Sequence, residues 1–214
     1  REISTVDTAI IVMGFNAVKE MGLSLSVFDT FKNIGSIDSF DVNKYWEHSV
    51  ACGVAARHMA KEFKLPEPGE VFVAGLLHDI GKIMVPDEIL HKPGKLTEEE
   101  FTIMKSHVIL GQKHLCETEG ISPLTVKIAA EHHERMDGTG YPCGLKGHEI
   151  STHGRMAAIV DVYDAITADR CYHKGMTPTM AIKRLLEWSD HHLDRSLVNQ
   201  FIRCIGIYPV GSLV

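Results

Sequence analysis

The segment Val71-Phe72-Val73-Ala74-Gly75-Leu76-Leu77-His78-Asp79-Ile80-Gly81-Lys82 decides how this chain folds. Its first seven residues are apolar on every side, so the helix they form is expected to be buried. That helix carries His78 and Asp79 into the interior. Burying a charge without a partner costs several kcal/mol, roughly, so Asp79 requires a cation or strong donors. Neighbouring side chains diverge by about 100° on a helix, so His78 and Asp79 reach two adjacent ions, or Asp79 bridges them. The plainer alternative is a helix C-terminus, with His78 and Lys82 complementing the dipole and Gly81 ending the helix. It explains Gly81 and Lys82, but Asp79 has the wrong sign for that position.

Outward from this segment the chain reads as helical. Asp41 precedes a periodic stretch to about Phe63, whose inner stripe is His48, Cys52, Ala55, Met59 and Phe63. Taken alone, a single His on such a stripe is more often a core residue than a ligand. Thr97 and Glu100 form a capping box before Phe101, Met104 and Val108. Ser122-Pro123 and Thr177-Pro178 each pair an N-cap with a proline at the first helical position. Ser151 caps the apolar segment 155–168, and Asp194 caps the last helix. No stretch of strand length alternates with period two. Loops fall at Pro66–Gly69, at Lys92–Gly94 and, longest, from Asp137 to about Ile150. The expected fold is all-α. Residues 1–39 form a helical lead-in, with a break near Gly35–Asp38, ahead of a unit covering 40–214.

A length of 214 residues suits one domain, or one domain with an extension, and is enough to bury a core. With 44% hydrophobic and 23% charged residues the composition is that of a globular protein. A net charge of -6 argues against a duplex nucleic-acid binder. The five cysteines are odd in number and form no CxxC pair, which supports neither a disulfide framework nor a zinc ribbon. A reducing cytoplasm is the simplest setting. No apolar run approaches the ~20 residues of a membrane helix. The chain opens at Arg1 without an initiator Met and is expected to be a fragment or a trimmed chain, with neighbouring domains left open.

Thirteen histidines are the unusual count. His107 has Ile103, Met104 and Leu110 as stripe neighbours, all expected inward, with His114 as a weaker rival. His132 and His133 end an apolar helix and open the string HHERMDGTGYP, His132 to Pro142. Two adjacent histidines are not easily both idle in a core; the alternative is that one faces solvent. Asp161 and Asp164 are the acids of an otherwise apolar helix and share a face at i, i+3. One as ligand and the other orienting a ligand is the economical reading. Together these are five His and two Asp on separate helical segments. Seven donors exceed one tetrahedral zinc. They suit two ions with mixed N/O ligands, about 3.5–4 Å apart, a device for phosphoester hydrolysis.

His48, His78-Asp79 and Asp161 together resemble the H…HD…D pattern of the HD metal-dependent phosphohydrolases. With GLLHDIGK (75–82), HHERMDGTGYP and DVYDAITADR (161–170), the chain is similar to their HD-GYP subgroup over roughly 40–205. The resemblance implies an all-helical HD-domain bundle and a bacterial cyclic-di-GMP phosphodiesterase yielding linear pGpG, and then GMP where a second hydrolysis follows. It implies a centre of two or three divalent ions, iron or manganese first, with zinc, nickel and magnesium as rivals. The implied metal ligands are His48, His78, Asp79, His107, His132, His133 and Asp161, with Asp79 bridging and Asp164 behind them. Lys82 would aim its ammonium at the phosphate. Asp137, Tyr141 and the loop to Pro142 would border the substrate, and Arg170 and Lys174 would meet phosphate oxygens. Where some members place a Glu for a third metal this chain has Lys44, and Glu47 points elsewhere, which favours two metals. CYHKG (171–175) departs from the usual Pro and Arg at Cys171 and His173. The segment 13–28 is weakly similar to HDOD signalling domains. Two other readings stay open: a non-catalytic module binding a cyclic dinucleotide or a protein, and a phosphohydrolase of another phosphoester. Partner signalling domains and a homodimer are among the open partner readings.

Overall fold

A computed structural model describes Gly22 and residues 42–168 and 174–206. The expected lead-in and its break at Gly35–Asp38 fall outside the described residues except for Gly22. Among the described residues the regular elements are helical, apart from one isolated antiparallel bridge between Asp137 and Lys146. They are α1 (Val42–Glu62), α2 (Pro68–Leu77), a 3-10 turn (Ile80–Met84), α3 (Asp87–Leu90), α4 (Glu98–Glu117) and α5 (Pro123–Glu131). A short 3-10 turn (Gly147–Glu149), α6 (Thr152–Thr167), α7 (Pro178–Trp188) and α8 (Arg195–Ile205) complete the series. No helix of the described residues is long and apolar enough to cross a membrane.

The caps expected from sequence are in place. Thr97 accepts from Glu100 N while the Glu100 carboxylate accepts from Thr97 N at 2.8 Å, closing the capping box. Ser122, Ser151, Thr177 and Asp194 each accept a backbone N–H from the first turn of α5, α6, α7 and α8.

The main core gathers Cys52, Met59 and Ala60 of α1, Val71 and Ala74 of α2, Met156 to Val160 of α6, and Leu185, Val198 and Phe201. A second cluster, with Leu76, Leu77, Ile80, Leu115 and Ala129, lies under the 3-10 turn. Two close approaches set the geometry around His78 and Asp79. A Cβ on Gly75 would stand 2.5 Å from the Gly53 Cα, so α1 and α2 meet backbone to backbone. A Cβ on Gly81 would meet the His107 carbonyl oxygen at 1.9 Å, so the 3-10 turn lies directly on α4 at His107. Both contacts exist because neither position carries a side chain.

One expectation for α4 is corrected. Ile103 is exposed rather than inward, and Phe101 is exposed as well. The packed face of α4 begins at His107 and continues through Val108, Gly111 and Leu115, while Phe101 borders an open cavity.

Candidate metal centre

The imidazoles arrive on separate elements, and three are oriented in the same way. His78 Nδ1 donates to the Gly75 carbonyl at 2.8 Å, His107 Nδ1 to Met104 at 2.7 Å, and His132 Nδ1 to Ala129 at 2.7 Å. A carbonyl only accepts, so Nδ1 carries the proton in each and Nε2 presents a bare lone pair. His48 is held differently: its Nδ1 lies 2.5 Å from the Asp164 carboxylate. His48 Nε2 stands 3.3 Å from His78 Nε2, so two ring nitrogens converge on one point.

Asp79, which is 1% exposed, sits between these rings. Its Oδ2 is 3.5 Å from His48 Nε2 and from His78 Nε2. Its Oδ1 is 3.3 Å from His107 Nε2 and 3.6 Å from His132 Nε2. Asp161 Oδ1 lies 3.3 Å from His48 Nε2, and its Oδ2 lies 4.0 Å from His133 Nδ1. The donors fall into two groups, His48, Cys52, His78 and Asp161, and Asp79, His107, His132 and His133. Within each group the ligand atoms lie within 4.8 Å of one another.

These residues fit metal ions. Asp79 Oδ1, His107 Nε2 and His132 Nε2 are buried and have no hydrogen-bond partner. Bare acceptors of this kind, facing one another away from water, are costly unless a cation satisfies them. The electrostatics agree. Burial opposes ionisation of Asp79, yet the Lys82 ammonium holds its carboxyl well below the usual range. Burial opposes a charge on His48 too, but Asp161, Asp164 and Asp79 outweigh it and push the imidazole far up. Burial and the neighbouring His132 hold His133 well down. Burial pushes the Cys52 thiol up to about 11, so it stays protonated beside His48.

Seven of the residues singled out from sequence as ligands are therefore brought together: His48, His78, Asp79, His107, His132, His133 and Asp161. Half-buried His114 lies outside both groups. Lys82 donates to Asp79 Oδ2, so its ammonium sits on the carboxylate at the edge of the centre. Tyr141 leans over His133, with ring centroids 4.7 Å apart. Asp137 is exposed and serves its own loop, accepting from Thr139 N at 2.9 Å and Thr139 Oγ1 at 2.7 Å. Lys174 is exposed on the segment before α7, and Arg170 lies outside the described residues.

A cavity of about 390 Å³ opens onto the centre. His132, His133, Tyr141 and Asp161 line it, and so do Arg135, Trp188 and His192. The last three were not singled out from sequence. Nothing in their spacing links them: Trp188 ends α7, and His192 lies on the segment after it, where its carbonyl accepts from Met136 N at 2.9 Å. Glu131 and Glu134, which flank the histidine pair, were also missed although both are buried. An acid on each side of a ligand pair was the signal available.

The HD domain family model matches residues 40–197. A cyclic di-GMP phosphodiesterase of Pseudomonas aeruginosa, PA4108, is 48% identical over 169 residues, covering 78% of this chain and 41% of the relative. A 3'3'-cGAMP-specific phosphodiesterase 2 of Vibrio cholerae is 42% identical over 126 residues, covering 58% of this chain and 24% of the relative. The chain thus spans less than half the length of either relative. Among solved structures, Bd1817, an HDG"Y"P protein of Bdellovibrio bacteriovorus, superposes with a TM-score of 0.60 at 17% identity. That alignment covers 92% of this chain and 63% of Bd1817, and it speaks to the fold. Helical architecture, converging donors and matched segment agree: the chain belongs to the HD-domain family, and the order of its motifs places it in the HD-GYP subgroup.

Proposed function

We propose that this chain is a metal-dependent phosphodiesterase that opens cyclic di-GMP to linear pGpG. The observation that carries the hydrolytic reading is the buried Asp79 carboxylate, with one oxygen facing each group of imidazoles and Oδ1 unpartnered. Relatives named as cyclic di-GMP phosphodiesterases supply the substrate.

Two divalent ions bound there would lower the pKa of a shared water and polarise phosphoryl oxygens. His48, His78 and Asp161 would hold one, and His107, His132 and His133 the other, with Asp79 spanning both. The chain's own residues do the rest. The carbonyls of Gly75, Met104 and Ala129 keep three Nε2 lone pairs aimed inward. Asp164 does the same for His48 by taking its Nδ1 proton in a hydrogen bond. Lys82 offsets negative charge at Asp79 and at a phosphate oxygen beside it. Tyr141 remains a phenol, since burial and the Asp79 and Asp161 carboxylates push its hydroxyl up, so it can donate to the substrate. Arg135, which also lines the cavity, would meet a second phosphate. An N/O donor set favours iron or manganese over a soft-ligand metal. The free, unpaired Cys52, Cys116, Cys143 and Cys204 support a reducing, cytoplasmic setting.

The test is product analysis with protein loaded anaerobically with iron or manganese. Cyclic di-GMP is expected to give pGpG, and Asp79→Ala to abolish turnover. No turnover with either metal, with Asp79→Ala binding the dinucleotide as well as wild type, sinks the enzymatic reading. The relative named as 3'3'-cGAMP-specific favours one second reading, hydrolysis of that mixed dinucleotide. Parallel assays on both substrates separate them.

A further inference from the structure

Glu134 follows the histidine pair and is 3% exposed, yet it faces neither group of ligand atoms. Its Oε1 accepts from the backbone N–H of Cys143 at 2.7 Å and of Gly144 at 3.1 Å, and its Oε2 from Leu145 at 3.0 Å. Three consecutive amides thus close on one carboxylate, the nest arrangement in which backbone N–H groups bind an anion. The loop just before them rests on the ligand segment itself. Tyr141 N donates to the His133 carbonyl at 3.2 Å. A Cβ on Gly140 would meet Arg135 N at 2.4 Å and Glu134 Cα at 2.5 Å, so glycine is what lets the loop lie this close. Behind the loop is open space. A second cavity of about 470 Å³ is lined by Leu115, Cys116, Val126, Pro142 and Cys143, and Glu134 borders both cavities. The wall carrying Tyr141 therefore has the dinucleotide cavity on one side and a void on the other, with Glu134 as its fastening.

We propose that Glu134 is a positioning residue whose carboxylate holds Tyr141 over the metal centre and makes the cavity selective for a cyclic dinucleotide over a small phosphodiester. This rests on the phosphodiesterase reading above. Glu131, on the other flank, differs: it accepts from Ser151 N at 2.9 Å and from Ser151 Oγ, at the start of the helix that carries Asp161. Its effect belongs to the centre, whereas that of Glu134 belongs to the wall.

The experiment compares wild type and Glu134→Gln, both manganese-loaded. A carboxamide keeps one acceptor oxygen and turns an NH₂ against a backbone N–H. Exchange of the Cys143, Gly144 and Leu145 amides is expected to accelerate about tenfold or more. Metal content should equal that of wild type. For cyclic di-GMP, kcat/KM should fall about tenfold or more, chiefly through KM, while hydrolysis of bis(4-nitrophenyl) phosphate stays within about threefold. Equal loss on both substrates, lost metal, or unchanged exchange overturns the proposal. Should Glu134→Gln not fold, wild-type exchange decides: the amides of Cys143, Gly144 and Leu145 must exchange at least about tenfold slower than in an unstructured chain, and free exchange overturns it. If wild type fails to cleave the dinucleotide, the substrate reading falls, and Glu134 is judged by exchange and the small phosphodiester alone.

Discussion

Asp79 carries two jobs in one carboxylate, and its neighbours show how narrow the tolerance is. Each of His78, His107 and His132 has one nitrogen spent on a backbone carbonyl three residues earlier, a bond available wherever a helical imidazole folds back. His48 instead relies on Asp164, 116 residues away in sequence. Replacing Asp164 by Asn is expected to weaken metal binding about 10–100-fold, measured by competition with a chelator, because the amide no longer fixes the ring as a carboxylate does. Unchanged affinity would remove Asp164 from the centre. Asp79 was legible in sequence because a charge among apolar residues demands an explanation. That Asp164, expected behind the ligands, meets His48 in particular was not, since its spacing does not say which ring it faces.

At the scale of elements, α1, α2 and α4 are drawn together by glycine. Gly75→Ala would place a methyl group 2.5 Å from the Gly53 Cα, against backbone that has no rotamer to yield. The expected cost is about 1–3 kcal/mol, read as a lower urea midpoint with an unchanged slope. Stability equal to wild type would mean the two helices separate freely. Helix starts were readable because caps are local: Thr97, Ser122, Ser151, Thr177 and Asp194 each bond within their own first turn. The exposure of Ile103 was not, because periodicity marks which residues share a face but not how far along a helix the neighbouring element reaches.

For the whole molecule, the histidines give the metal-free protein a stability curve with two limbs. Burial lowers the pKa of His132, His133 and His153, so the unfolded chain takes up protons there that the folded chain refuses. Their contribution is present above the ordinary value of about 6.5 and is lost as pH falls below it. His48 runs the other way. Its raised pKa stabilises the fold fully below about 6.5, and that stability drains as pH rises. Chelator-treated protein should therefore have its highest Tm near pH 6.5, roughly, and metal loading should flatten the alkaline limb, since a cation replaces the His48 proton. A Tm rising steadily to pH 9 or so would contradict this assignment.

The order of helices, their caps, the buried run from Val71 to Leu77 and the residue types able to hold metal were all present in the linear chain. Each depends on interactions spanning one or two turns, or on the cost of burying a charge. Which donor faces which, how Asp79 comes to stand between two groups, and why Glu134 turns away from the centre depended on three-dimensional packing. Those relations run between segments tens of residues apart, and the backbone contacts at Gly53, Gly75 and Gly81 set them within ångströms. Local patterns specify a helix and its inner face; only the meeting of several inner faces specifies a site.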